Sequence, residues 1–357
     1  MANNKINLGC KQLRGTFQMS GKISGRLSQN FYSEGVAKNG KAWRRVHFGV
    51  EIEPGKSVYV DLFGSAQDNI YVSKRTTVAG KTQVDTQTVP WAKRFDYQND
   101  KRYKGYTTIG VTCGCKKMLD SKGVERNDTK HLTMFDACDE IQNLTDGQDV
   151  FVRGNIVYST YNDQHRVNFE PVQISLCRPI DFDDLEFKPN AVFTQPLVLM
   201  DVVGNKETHE YDVLAKIVNY STVEDCEMHI KEEFSGLAKT LKKLGAYVHV
   251  EVHGNIVIDG EVVEETVDSA WGTSNSMKRL GSAFTRKLVI TGADPDSVDK
   301  ESYNEAVIEH AIEVAASIQN AKDDYGEKDE KEDWGKDSKN DSSLDDSEED
   351  FDLDLGI

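Results

Sequence analysis

One short segment occurs twice in this chain. Val152-Arg153-Gly154-Asn155-Ile156-Val157 returns one hundred positions later as Val252-His253-Gly254-Asn255-Ile256-Val257. The match extends upstream, where Leu144 corresponds to Leu244 and each closes an amphipathic, helix-like stretch. Self-similarity at a fixed offset marks two copies of one structural unit. In each copy a helix leads through a turn into a strand of alternating residues. A glycine inside such a strand marks a bend or bulge. The expected fold is therefore mainly β, with two tandem small β-barrels and a helix before the fourth strand of each.

A chain of 357 residues has room for two such units and a tail. In the first unit, Leu13 to Ile23 reads as a strand. Ala42 to Ile52 alternates, placing Trp43, Arg45 and His47 outside and Val46, Phe48, Val50 and Ile52 inside. Pro54-Gly55 turns the chain into Ser57 to Gly64, with Tyr59, Asp61 and Phe63 outward. Residues 65–128 match neither repeat and read as an insertion: a hairpin or long basic loop with a strand-like Tyr106 to Thr112. Thr129 to Leu144 reads as the first helix, buried through Leu132, Phe135, Cys138 and Ile141. Strands follow at Val150–Tyr158 and Arg166–Leu176. The first unit then spans 1–180, a linker 181–189, and the second unit 190–298. The second unit holds strands near 191–203, 210–218, 247–258, 261–267 and 284–291, and a helix over 231–244. A further helix falls within 299–322, with Val307, Ile308, Ala311, Ile312, Ala315 and Ile318 as its apolar stripe. Residues 323–357 are dominated by Asp, Glu, Lys, Ser and Gly and are expected to be disordered.

The net charge of −17 is unevenly spread. Residues 1–135 carry 23 Lys and Arg against 11 Asp and Glu, or +12; residues 136–322 carry −17 and the last 35 residues −12. The first third suits an anionic partner, and the tail resembles an anion. Six cysteines are too few for a disulfide scaffold of this length, and no apolar run is long enough to span a bilayer. A soluble cytoplasmic protein without membrane contact is expected, compatible with homo-oligomerisation. It would lie in the bacterial host cytoplasm if a phage encodes it.

Binding a single strand without sequence preference requires cations to track phosphates and flat rings to stack on bases. Trp91 to Tyr106 interleaves both. The candidate stacking residues are Trp43, Phe63, Trp91, Phe95, Tyr103 and Tyr161. The candidate phosphate contacts are Arg44, Arg45, Lys74, Arg75, Lys93, Arg94, Lys101, Arg102 and Lys104; alternation puts Arg45, not Arg44, on Trp43's face. Before the shared glycine the outward residues are Asp149, Phe151 and Arg153 in the first copy, and His249, Glu251 and His253 in the second. Phe151 and Arg153 therefore join the candidate surface. The second unit is expected to be structural, dimerising or protein-binding. His249-x-Glu251-x-His253 reads as a solvated strand face, and Cys113-x-Cys115 with His131 and Cys138 fits no common zinc spacing. No metal or cofactor is assigned. No phosphate loop, nucleophile signature or acid–base pair is present, so a non-enzymatic role is expected.

The last residues, Asp350-Phe351-Asp352-Leu353-Asp354-Leu355-Gly356-Ile357, are acidic but apolar-tipped. Phe351, Leu353, Leu355 and Ile357 suit a basic-rimmed apolar pocket on a partner, with Asp350, Asp352 and Asp354 on its rim. This tail resembles the acidic tip of the single-stranded DNA-binding proteins of bacteria and their phages, which are built on the OB-fold. Gly147 to Gly154 followed by Tyr158 to Asp163 is similar to that family's strand and hairpin after the helix, placing Tyr161 at a base-stacking position. Leu62-Phe63-Gly64 resembles the strand end that carries a stacking Phe, implicating Phe63. Family members of the bacterial type are shorter, have one barrel, and lack the 65–128 segment between that strand and the helix. The resemblance implies coating of single-stranded DNA in replication, recombination or repair, with replication and recombination proteins recruited through the tail. An RNA-binding protein with the same groove, and an assembly protein meeting an acidic partner, are the alternatives.

Overall fold

The computed structural model describes residues 8–78, 81–161, 164–260, 262–265, 279–282 and 285–326. The chain is mainly β. Its first part holds β1 (Gly15–Ser24), β2 (Tyr32–Val36), β3 (Ala42–Glu53) and β4 (Lys56–Ser65). The inserted segment adds β5 (Asn69–Val78), β6 (Lys81–Pro90), β7 (Thr107–Thr108), β8 (Val111–Gly114), β9 (Lys117–Leu119) and β10 (Glu125–Asn127). Then come β11 (Lys130–Leu132), α1 (Met134–Ile141), β12 (Asp149–Tyr161) and β13 (Gln164–Leu176). The later part has β14 (Asn190–Gly204), β15 (Tyr211–Val218), β16 (Val223–Ile230), α2 (Ser235–Leu244) and β17 (Val248–Asp259). It ends with β18 (Val262–Glu265), β19 (Arg279–Ser282), β20 (Thr285–Asp299) and α3 (Glu305–Gly326).

The repeated segments occupy equivalent places. β12 pairs antiparallel with β1 so that Gly154 faces Phe17, and β17 pairs antiparallel with β14 so that Gly254 faces Phe193. Each glycine sits at a register shift against the next strand, β13 or β20. The reason for glycine is a close backbone approach. A Cβ at Gly154 would lie 1.9 Å from the Glu170 carbonyl oxygen, and one at Gly254 equally close to that of Val289. Any side chain would force the bulged strands apart.

The two parts join through β1 and β14, which pair antiparallel with Phe17 opposite Phe193. The same two phenylalanines that face the bulge glycines thus also face each other, and the arrangement is close to two-fold about that point. Inward side chains on both sides merge into one apolar core.

Strand pairing in the later part returns to its start: β14–β15, β15–β16, β16–β20 in parallel, β20–β17 and β17–β14. In the first part β1 pairs β3 and β3 pairs β4, but the strand bonded in parallel to β13 is β8, beyond the first hairpin of the insertion. The inserted segment therefore supplies the pairing that β16 supplies in the later part.

Several element boundaries differ from those expected. The first helix begins at Met134, not Thr129, because Thr133 caps it: its Oγ1 accepts from the Asp136 backbone N–H at 3.1 Å. Residues 130–132, including Leu132, are strand instead. In the later part β16 was absent from the expectation. Its buried residues are Glu224, Cys226, Met228 and Ile230, and the charged Glu224 at an inward position breaks the apolar alternation. The helix expected from Lys231 opens as a 3-10 turn and is α-helical only from Ser235. β20 extends to Asp299, well past residue 291. The last helix starts at Glu305 and continues past Asp323 to Gly326. Its stripe buries Ile308 and Ala311 but leaves Ile312 at 38% exposure. The turn at Asn162-Asp163 and the tail from 327 lie outside the described residues.

Candidate nucleic-acid interface

The outward face of β3 and β4 gathers the first group of candidates. Register places Arg45 opposite Phe63, His47 opposite Asp61 and Gly49 opposite Tyr59. Since side chains alternate along a strand, Trp43, Arg45 and His47 share a face with Tyr59, Asp61 and Phe63. Trp43 and Phe63 stack at 6.1 Å between centroids with planes 26° apart; His47 and Tyr59 stack at 5.2 Å, nearly parallel. Phe63 remains 43% and Tyr59 42% exposed. Between the two pairs the Arg45 guanidinium forks onto Asp61, with Nε 2.9 Å from Oδ2. Burial alone would raise the Asp61 carboxyl, but the nearby His47 imidazole, with Nδ1 3.4 Å from Oδ2, and the Arg45 hydrogen bonds outweigh it and hold Asp61 below the usual carboxylate range. His47 and Tyr59 were legible as outward from alternation, yet not counted among the candidate contacts.

Arg44 points to the other side. Its guanidinium pairs with Asp139 of α1 and with Glu34, and lies 4.0 Å over the Phe135 ring. It is half-buried and anchors the helix to β3.

The second group lies at the root of the insertion. Trp91 meets Phe135 edge-on at 5.7 Å. The Arg94 guanidinium lies 4.4 Å from the Trp91 ring and 4.3 Å from that of Phe95, and its Nε bonds Asp136 at 3.0 Å. Arg94 thus clamps the insertion to the first turn of α1, where Asp136 is buried. Phe95 is 63% exposed, and Lys93 is exposed beside it.

The third group is at the β5–β6 hairpin. Ile70, Val72, Val89, Tyr97 and Tyr106 form a small core of their own, with Trp91 and Tyr103 packed against it. Part of the aromatic richness of this segment is therefore packing. On its surface Lys101, Lys104 and Arg75 are exposed, Lys74 lies 6.0 Å over Tyr106, and Arg102 pairs with Asp100 while lying over Tyr103.

Phe151 and Arg153 sit on β12 opposite Ser20 and Gln18, one strand removed from β3 and next to the β1–β14 seam. Arg153 is exposed and Phe151 half-buried. Tyr161 ends β12 opposite Gln164, and its side chain lies outside the described residues. So do Asp350, Phe351, Asp352, Leu353, Asp354, Leu355 and Ile357.

The candidate ligand residues have protein partners. His249 Nδ1 meets the Ser297 carbonyl at 2.8 Å and its ring stacks on Tyr303. Cys113 is buried, and a hydrogen bond to Cys115 followed by burial raises its thiol well above the usual range. Burial first, then the nearby Asp139, pushes Cys138 up to about 12. His131 pairs through Nδ1 with Thr112 Oγ1 at 3.1 Å. Among the described residues, one trio of ligand types comes within 4.8 Å: Asp212, Glu227 and His229. The His229–Asp212 hydrogen bond of 2.8 Å accounts for much of its closeness.

The chain belongs to the YorF family, whose pattern matches residues 18–328. Two solved structures of the single-stranded DNA binding protein from Thermus aquaticus also align. A deletion mutant matches at 13% identity with a TM-score of 0.35, over 80% of this chain and 94% of that one. The wild-type protein matches at 13% identity and 0.34, over 80% and 93%. No curated protein matches the chain. Among the described residues, no helix is long and apolar enough to cross a membrane.

Proposed function

We propose that this protein coats single-stranded DNA without strong sequence preference. The observation that carries the reading is the outward β3–β4 face, where Trp43–Phe63 and His47–Tyr59 present stacked rings on either side of Arg45. Solvent-facing rings beside cations are what bases and phosphates of a flexible strand need, and a duplex offers no exposed base faces. Phe95 with Lys93, and Lys101 and Lys104 on the insertion, extend the cationic and aromatic surface from the end of β4. Phe151 and Arg153 extend it across β1.

Within this reading the chain comprises two OB-like barrels, 1–180 and 190–298, joined at 181–189 and followed by a helix and an acidic tail. The pairing circuit of the later strands and the helix before β12 and β17 support that division. The work is in DNA replication or recombination, and the apolar-tipped tail recruits protein partners. It is a binding role, not a catalytic one.

The test is tryptophan fluorescence of the full chain titrated with dT oligomer at low and high salt, with duplex DNA and single-stranded RNA as competitors. Strong quenching is expected, with log affinity falling by about 0.7 per neutralised phosphate against log salt. Duplex should not displace dT. Displacement by RNA as effective as by DNA would assign the groove to RNA. Absence of quenching and of retained DNA at low salt would leave an assembly protein.

A further inference from the structure

The insertion and the start of α1 line a half-open pocket of about 160 Å³. Arg94, Phe95, Gln98, His131, Thr133 and Asp136 are among the residues that line it. Its size is informative. An apolar cavity of about 150 Å³ takes one benzene ring, whereas drug-sized pockets start near 300 Å³. There is room here for one six-membered ring.

Its chemistry is that of a flat, polar-edged guest. The exposed Phe95 ring and the Arg94 guanidinium provide planar surfaces, already stacked on each other at 4.3 Å. The Asp136 carboxylate is satisfied by Arg94 and by Thr133 Oγ1 at 2.8 Å, so it holds the wall and does not seek a cation. Two other groups remain available. His131 uses Nδ1 on Thr112, which leaves Nε2. Gln98 directs its Nε2 to Tyr97 Oη and the Tyr106 carbonyl at 3.5 Å, while its Oε1 takes no hydrogen bond among the described residues. A ring nitrogen and an amide oxygen beside a stacking surface match the donor and acceptor edge of a pyrimidine.

We infer that this pocket accepts one pyrimidine base of the bound strand, adding a modest base preference to otherwise tolerant binding. The inference rests on the single-stranded DNA reading above. A purine double ring overfills the pocket, so purine strands bind through the open aromatic and cationic surface without seating a base in it.

The experiment compares labelled dT and dA oligomers of equal length by anisotropy, using the full chain and the variants Gln98→Ala and His131→Ala. Both side chains are exposed, and thermal melting checks that each variant stays folded. The intact chain should prefer dT by roughly fivefold, the scale of one net hydrogen bond. Each variant should lose affinity for dT, keep its affinity for dA, and move the ratio toward one. Equal affinity in the intact chain overturns the inference. So does a dT preference that persists in both variants, since strand flexibility alone also favours pyrimidine runs. If neither oligomer binds, the single-stranded DNA reading itself fails; a changed or unchanged ratio bears on the pocket alone.

Discussion

The β3–β4 face and the β15–β16 face hold corresponding places on either side of the β1–β14 seam, yet their chemistry is opposite. On the first, Trp43, Arg45 and His47 face Tyr59, Asp61 and Phe63. On the second, Asp212, Leu214 and Lys216 face Asp225, Glu227 and His229. Among these residues the second face has no Trp, Tyr or Phe. Its lysine is tied to Asp225 at 2.6 Å and its histidine to Asp212 at 2.8 Å. Duplicated backbone pairing therefore did not duplicate the surface. Inward positions must fill the same kind of core and stay apolar in both, while outward positions are free to diverge. The first face offers rings and an arginine, the second carboxylates held by a lysine and a histidine. Only the first side also carries the insertion.

The largest effect separates the insertion's structural cation from its surface ones. Arg94→Ala leaves the buried Asp136 without its ion-pair partner, and loss of one partner of a buried pair costs about 3 kcal/mol. Chemical denaturation should show that loss. Lys93→Ala, on an exposed neighbour, should leave the denaturation midpoint unchanged and reduce only affinity for dT. Equal stability of the two variants would mean that the clamp between the insertion and α1 is not formed, and with it the pocket wall.

Next come the rings. Trp43→Ala or Phe63→Ala should each weaken dT binding by about 1–3 kcal/mol, the range for loss of one base stack. Leu214→Ala, at 40% exposure on the opposite face, should change nothing. An affinity loss from Leu214→Ala equal to that from Phe63→Ala would erase the distinction between the two faces.

How much of this was legible in the sequence depends on which physical signal was strong. The repeat around Gly154 and Gly254 was readable because only glycine tolerates a carbonyl 1.9 Å from the Cβ position, so the residue survives duplication. The outward placement of Trp43, Arg45, Phe63 and Tyr59 followed from period-two alternation in β3 and β4. β16 escaped because Glu224 is buried within it, accepting from Thr160 Oγ1 at 2.6 Å, and so mimics a solvent position. In the insertion, composition could not separate packing from display. Tyr97 and Tyr106 are core, and Arg94 is a clamp, whereas Phe95 is open to solvent. That distinction depends on contacts with α1, which lies some forty positions further along the chain and is invisible to local pattern.

The smallest effect concerns the one cation on the aromatic face that already has a partner. Arg45 is bound bidentate to Asp61, so a phosphate must compete for it. Asp61→Asn removes the charge but keeps the shape, and frees the guanidinium. Binding of dT should tighten slightly, and the log–log salt slope should steepen by about 0.7, one additional phosphate contact. Acid does not offer the same release near neutrality. The Asp61 carboxyl is held below its ordinary value, so its stabilising pair is fully present above about pH 3.9, the unfolded carboxylate value, and is lost only as pH falls through the depressed folded value. Between about pH 8 and 9, far above the carboxylate range, the Asp61→Asn and unsubstituted chains should therefore differ by a constant offset in salt slope. A slope difference that closes as the pH is lowered through that window would show that Asp61 is not ionised on this face, and that Arg45 was available to phosphate all along.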